Sequence, residues 1–167
     1  MTGGEVAAQS LATAVTGPRD GAHPSPRDLV PYLLHRATNA VNRAWREELR
    51  PHGLTVQRWQ VLSVLVAFDG LRVTDLAEVV CVDQPVVSRV VDQMERDGLV
   101  VRGPDPDDGR GTLVRLTRAG HRMHADLMPA ASAFVDRLTA ALSDADVARL
   151  TSLLTTAVDA LEEAPDD

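Results

Sequence analysis

The stretch DQPVVSRVVDQMERDGLVVRGPDPDDGRGTLVRLT, residues 83–117, decides how this chain folds. Its first half reads as a short amphipathic helix. Asp83 suits an N-cap, Pro85 is tolerated in a first turn, and Val87, Val90, Val91 and Met94 recur at steps of three and four. Gly98 follows where a helix C-terminus favours glycine. Residues 99–102 then read as a strand, 104–111 as a loop of Pro, Asp, Gly and Arg, and 112–117 as the returning strand. The stretch is a helix followed at once by a β-hairpin with a polar tip.

The segments on either side read as helices. Immediately upstream, Val73, Leu76, Ala77 and Val80 share one face of a short helix over 73–80. Before it, a helix beginning after Thr55 carries Val56, Trp59, Leu62 and Val66 inward and stops at Asp69-Gly70. Earlier still, Leu29, Leu33, Ala37, Ala40, Val41, Ala44, Trp45 and Leu49 form a stripe on a helix that Asp28 can cap and that Pro51-His52-Gly53 ends. Downstream, one helix shows Ala119, Met123, Leu127, Ala130, Phe134, Leu138 and Ala141. A last one, over 143–162, shows Val147, Leu150, Leu154, Ala157 and Leu161, with Ser143 and Asp146 at capping-box spacing. Residues 1–27 mix Gly, Pro, Ser and Thr and read as a flexible N-terminal arm with a short helix over 5–15.

Composition agrees with a mainly α fold bearing a small hairpin. The 167 residues suit one domain, and with only 3% aromatics but abundant Leu, Val and Ala, helices packed through aliphatic faces are favoured over a sandwich or barrel. The single cysteine, Cys81, excludes an internal disulfide framework, no apolar run is long enough to span a bilayer, and the N-terminus lacks a secretory signal pattern. A cytoplasmic protein without membrane partners is expected. The net charge of −7 opposes nucleic-acid binding until its distribution is considered. From Asp83 to Arg122 seven Arg face seven acidic residues, so the acidity lies in the rest of the chain.

Two short helices joined by a tight turn, with a hairpin after the second, give the element order of a winged helix-turn-helix. There the second helix can enter the major groove while the hairpin reaches the backbone or minor groove beside it. Gln84, Ser88, Arg89, Asp92 and Gln93 lie off the Val87, Val90, Val91, Met94 stripe. Gln and Arg can pair with base edges, and Ser with phosphates. An ordinary solvated helix face would show the same residues, but the adjoining hairpin favours the DNA reading. A winged-helix module that binds another protein is the remaining alternative on fold alone.

The run Asp108-Gly109-Arg110-Gly111-Thr112-Leu113-Val114-Arg115-Leu116-Thr117-Arg118-Ala119-Gly120 resembles the wing pattern D-x-R-x-x-x-x-x-L-T-x-x-G of the MarR family at every fixed position. Leu76-Ala77-Glu78, Val87-Ser88-Arg89 and Gly98-Leu99-Val100 are similar to its helix-turn-helix, and the likeness covers about residues 28–163. It implies a domain over 28–163 in which 28–50 and 118–163 are dimerisation helices and 55–117 is the DNA-binding lobe. It also implies a homodimer on a pseudo-palindromic operator of double-stranded DNA, with Gln84, Pro85, Val86, Ser88, Arg89, Gln93, Asp108 and Arg110 at the interface. Arg110 would reach the minor groove and backbone with Asp108 holding it. Leu116 would anchor the wing, and Thr117 would cap the next helix.

The chain departs from the pattern at Cys81, where many members have Gly in the interhelical turn, so that backbone position is expected to accept a Cβ. Pro85 and Val86 stand where Ser or Thr is common, which exchanges hydroxyl contacts to phosphate for apolar contact with a thymine methyl. The family's small-molecule effectors, phenolic or aromatic carboxylates among them, would meet His35, Arg36, Trp45, Arg46, Arg58 and Trp59, although the two Trp read more readily as core packing. Cys81 reads as inert packing, and His121 and His124 as solvated surface residues without a third metal ligand. No cofactor is implied. No nucleophile elbow, Gly-rich phosphate loop or zinc motif is present, so an enzyme is not expected.

Overall fold

The computed structural model describes residues 29–162 apart from 69, 107, 109 and 110. The arm over 1–27, the cap at Asp28 and the arginine at 110 lie outside the described residues. In chain order the elements are α1 (Val30–Leu49), a single 3₁₀ turn (Arg50–His52), α2 (Val56–Ala67), α3 (Val73–Val79), α4 (Gln84–Arg96), β1 (Val100–Pro104), β2 (Thr112–Leu116), α5 (Arg118–Thr139) and α6 (Asp144–Glu162). By internal contacts the chain divides between Ala44 and Trp45 into two compact units.

The second unit holds the core. Leu49, Leu62, Leu76, Val87, Val91, Met94, Val100, Val114 and Leu127 are all nearly inaccessible, so every α-helix and strand from the end of α1 to α5 contributes at least one apolar side chain to one cluster. Burying such side chains is what stabilises elements as short as α3 and α4, which are below the length at which isolated helices persist. Helix α2 differs from its expected face: Val61, Leu62 and Leu65 are buried with Val56, whereas Val66 is exposed. Thr55 caps that helix through its hydroxyl, which accepts the Arg58 N–H at 3.2 Å.

The hairpin pairs antiparallel with Val100 opposite Leu116, Arg102 opposite Val114 and Pro104 opposite Thr112. The first strand begins one residue later than the sequence suggests and runs to Pro104. Between β2 and α5, Thr117 joins three elements: its hydroxyl accepts the N–H groups of Ala119 and Gly120, both at 3.1 Å, and donates to the Gly98 carbonyl at 2.6 Å. This caps α5 and ties it to the end of α4. Gly120 is required by close approach, since a Cβ there would lie 2.2 Å from the Leu99 carbonyl oxygen.

Two helices leave their apolar faces uncovered. None of the α6 residues is buried, and Leu150, Leu153, Leu154, Val158 and Leu161 are exposed. Of the α1 stripe only Trp45 and Leu49 are buried, while Leu29, Val30, Leu33 and Leu34 are exposed. Ser143 and Asp146 form the expected reciprocal cap of α6: the Ser143 hydroxyl accepts the Asp146 N–H at 3.2 Å and the Asp146 carboxylate accepts the Ser143 N–H at 3.3 Å. The Ser143 hydroxyl also donates to the Asp146 carboxylate at 2.6 Å, and this bond, followed by the one from the Ser143 N–H, holds the Asp146 carboxyl below its ordinary range.

Candidate nucleic-acid interface

Helix α4 presents two faces. Val87, Val91 and Met94 are buried and Val90 partly so, which turns Gln84, Pro85, Val86, Arg89, Asp92 and Gln93 to the exterior, with Ser88 half-buried. Asp83 occupies the N-cap position with Pro85 in the first turn, but its side chain makes no capping hydrogen bond, contrary to the sequence expectation. The first amides of α4 are not taken by an Asp83 side chain. Val86, 37% exposed, keeps a methyl-bearing surface in that turn.

One polar residue of this face is already occupied. The Asp92 carboxylate accepts from Arg102 Nη2 on β1 at 2.6 Å, and Glu95 accepts both the Arg102 backbone N–H at 3.0 Å and its guanidinium. The hydrogen bond from the Arg102 backbone N–H, reinforced by its side chain, holds the Glu95 carboxyl below the ordinary range. Helix α4 is thereby fastened to the first strand of the hairpin, and two carboxylates share one guanidinium beside the surface that would face phosphate. The spacing of Asp92 and Glu95 at i, i+3 marks a common helix side, but nothing in the linear order says that Arg102 folds back onto it.

At the other end of the hairpin, Asp108 was expected to hold the arginine at 110. Its carboxylate accepts from Arg72 Nη2 at 2.9 Å, an interaction the sequence did not suggest, and the arginine at 110 lies outside the described residues. At the C-terminus of α4, Asp97 pairs with Arg58 of α2, whose side chain is largely buried.

The turn between α3 and α4 overturns one expectation. Cys81 is exposed, not packed, and its backbone has φ +51°, in the left-handed region that favours glycine. It stands where α3 is closed off: the Cys81 N–H donates to the Glu78 carbonyl and the Val82 N–H to the Ala77 carbonyl, both at 3.1 Å. That geometry is a left-handed C-cap, so the position accommodates a Cβ at a conformational cost.

The residues expected to line an effector crevice fall into two groups. In the first unit, His35 bonds Asn39 at 2.8 Å and the Arg36 guanidinium lies 5.8 Å from the centre of the Tyr32 ring. In the second, Trp45 is buried and packs edge-on to Trp59 at 5.4 Å between centroids and against Phe134 at 5.0 Å. Arg58 is committed to Asp97, and Arg46 is exposed. His124 is not a solvated surface residue: it stacks on Trp59 at 5.0 Å with the rings 5° from parallel, and burial, with a smaller contribution from His121, lowers its pKa below the ordinary imidazole value. His121 is exposed. Among the described residues no group of three His, Cys, Asp or Glu side chains could hold a metal ion, and no helix is long and apolar enough to cross a membrane.

Comparison with known proteins agrees with this geometry. A model of the MarR family matches residues 52–111. The chain is similar to the homoprotocatechuate degradative operon repressor of Escherichia coli, 30% identical over 97 residues that make up 58% of this chain and 66% of that protein. In three dimensions it is similar to a mutant of MarR from E. coli complexed with operator DNA, with TM-score 0.71 and 27% identity over 81% of this chain and 99% of that one. It is also similar to CouR from Rhodococcus jostii RHA1 bound to p-coumaroyl-CoA, with TM-score 0.74 and 28% identity over 80% of this chain and 94% of that one. The chain spans about half to two thirds of the length of curated relatives to which it is similar.

Proposed function

The chain belongs to the MarR family, and from that premise we propose that it is a homodimeric, sequence-specific DNA-binding regulator, a repressor released by a small ligand, and not an enzyme. The observation that carries this reading is the outer face of α4, where Gln84, Arg89 and Gln93 are exposed beside a hairpin that Arg102 fastens to the same helix. A helix with exposed Gln and Arg, projecting next to a two-stranded ribbon, can place bidentate donors against guanine and adenine edges while the hairpin contacts the backbone. The arginine at 110 and Asp108 belong to that second contact, and Pro85 and Val86 to apolar contact with a thymine methyl.

A second copy accounts for the uncovered helices. An α6 without a buried residue has no reason to persist in an isolated chain, and a two-fold partner would cover its leucines and those of the first unit. Two copies of α4 about 34 Å apart would then meet successive major grooves of a pseudo-palindrome. The ligand part of the proposal rests on the aromatic compounds in the names of the similar proteins, homoprotocatechuate and p-coumaroyl-CoA, and on the aromatic and cationic residues His35, Arg36, Trp45, Arg46, Arg58 and Trp59. Such a regulator works in the cytoplasm, where its operators are.

The test begins with selection of duplexes by the full-length protein from a random-sequence library, followed by titration of the selected duplex. Replacing Arg89 by Ala should weaken that complex by about 1–3 kcal/mol and relax the preference at one position of each half-site. Homoprotocatechuate or p-coumaroyl-CoA added to the wild-type complex should release the DNA. Recovery of no consensus would sink the regulator reading, and an unmoved complex at saturating aromatic acid would sink its ligand half.

A further inference from the structure

We infer that Arg72 is a positioning residue that fixes the wing against the helix-turn-helix, so that the approach of the wing to DNA is set from α3; the inference rests on the DNA-binding reading above. Arg72 stands at the N-cap of α3, where Ser, Thr, Asp or Asn would ordinarily accept a backbone N–H. A guanidinium has no acceptor to offer there. Asp75 instead accepts the Arg72 N–H, at 3.4 Å, and the Arg72 side chain crosses to the hairpin. Its Nε and Nη2 donate to Asp105 Oδ2 at 3.1 and 2.7 Å, and Nη2 donates to Asp108 Oδ2 at 2.9 Å.

Asp105 gives this contact its weight. It is 8% exposed, the buried charged residue among those described. A carboxylate withdrawn from water persists only where it is paired and hydrogen-bonded, so a wing that drifted from α3 would give up the two guanidinium hydrogen bonds that Arg72 supplies to it. The surroundings hold the same arrangement. Leu71 and Val114 exchange backbone hydrogen bonds at 3.2 and 2.8 Å, which places the residue before Arg72 alongside β2 as a minimal third strand. The Asp105 N–H donates to the Gly111 carbonyl at 3.0 Å, and a Cβ on Gly111 would fall 2.9 Å from the Asp105 Cβ and 3.0 Å from Arg72 Nη2. Both ends of the wing loop therefore converge on one guanidinium.

The experiment compares wild type, Arg72→Gln, Arg72→Lys, Asp105→Asn and the double variant R72Q/D105N as full-length proteins, with thermal melts to establish folding. In the free protein, hydrogen exchange at the Asp105 and Gly111 amides should rise in R72Q while that of α4 stays as in wild type. On the duplex selected by wild type, R72Q and D105N should each weaken binding by about fivefold to tenfold, and the double variant by no more than either. Lys, a point donor without the guanidinium fork, should fall between wild type and Gln. The slope of log Kd against log salt should not change in R72Q, whereas loss of a phosphate contact would lower it by about one.

Unchanged wing exchange in R72Q overturns the inference. So does a lowered salt slope, which would make Arg72 a direct DNA contact, or tighter binding by D105N, which would reduce the effect to net charge. Should the wild type select no duplex, the regulator reading fails, while the exchange measurement still decides whether Arg72 holds the wing.

Discussion

Cys81 shows what a side chain cannot announce. A cysteine between two apolar segments reads as a small buried hydrophobe, yet its conformation is dictated by the backbone that closes α3, and it lies exposed with φ +51°. The hydrogen bonds from Cys81 and Val82 back to Glu78 and Ala77 set that φ whatever residue stands there. Replacing Cys81 by Gly should therefore stabilise the fold by about 0.5–1 kcal/mol, measured by urea denaturation, because glycine adopts this backbone without the Cβ penalty. A destabilised C81G would mean that the thiol makes compensating contacts in the folded protein. His124 is a similar case: in sequence it is one of two histidines on a polar stretch, and only the packing of α5 on α2 brings it face to face with Trp59. By contrast Thr117 was legible through the resemblance to the wing pattern, which implies a cap at that position, and it caps α5.

At the level of elements, the helices and hairpin were readable because each carries its own period and its own terminators. The pattern failed where two faces compete. In α2, residues 61, 62 and 65 are buried on a helix apolar almost all round, and a sequence alone does not say which stripe wins. The ties between elements were equally hidden. Arg58 to Asp97 and Arg72 to Asp105 and Asp108 span more than thirty residues, Arg102 to Asp92 and Glu95 crosses from strand to helix over ten and seven, and charge pairing has no periodicity to read. The glycine of the wing pattern does have a physical reason, namely the seating of α5 on the end of α4. Adding a Cβ at Gly120 drives it into the Leu99 carbonyl, so Gly120→Ala should cost about 1–3 kcal/mol in thermal or chemical unfolding by overpacking. Wild-type stability in that variant would show that α5 can shift away freely, and the close seating would then have no structural importance.

Over the whole molecule, an acidic chain is a poor first candidate for binding a polyanion, and the resolution lies in where acids are counterbalanced. Asp92 and Glu95 share Arg102 and Asp97, just after α4, pairs with Arg58, while Arg89 and Gln93 remain exposed on that helix. In the proposed dimer, exposed leucines on α6 and on the N-terminal half of α1 would supply the other property a two-fold DNA reader requires, a surface for its own copy. Footprinting of the full-length protein with hydroxyl radicals on its selected duplex tests the central claim most directly. The account predicts two symmetric windows of protection about one helical turn apart, both lost when Arg89 is replaced by Ala. A single window, or a footprint that Arg89→Ala leaves intact, would contradict it.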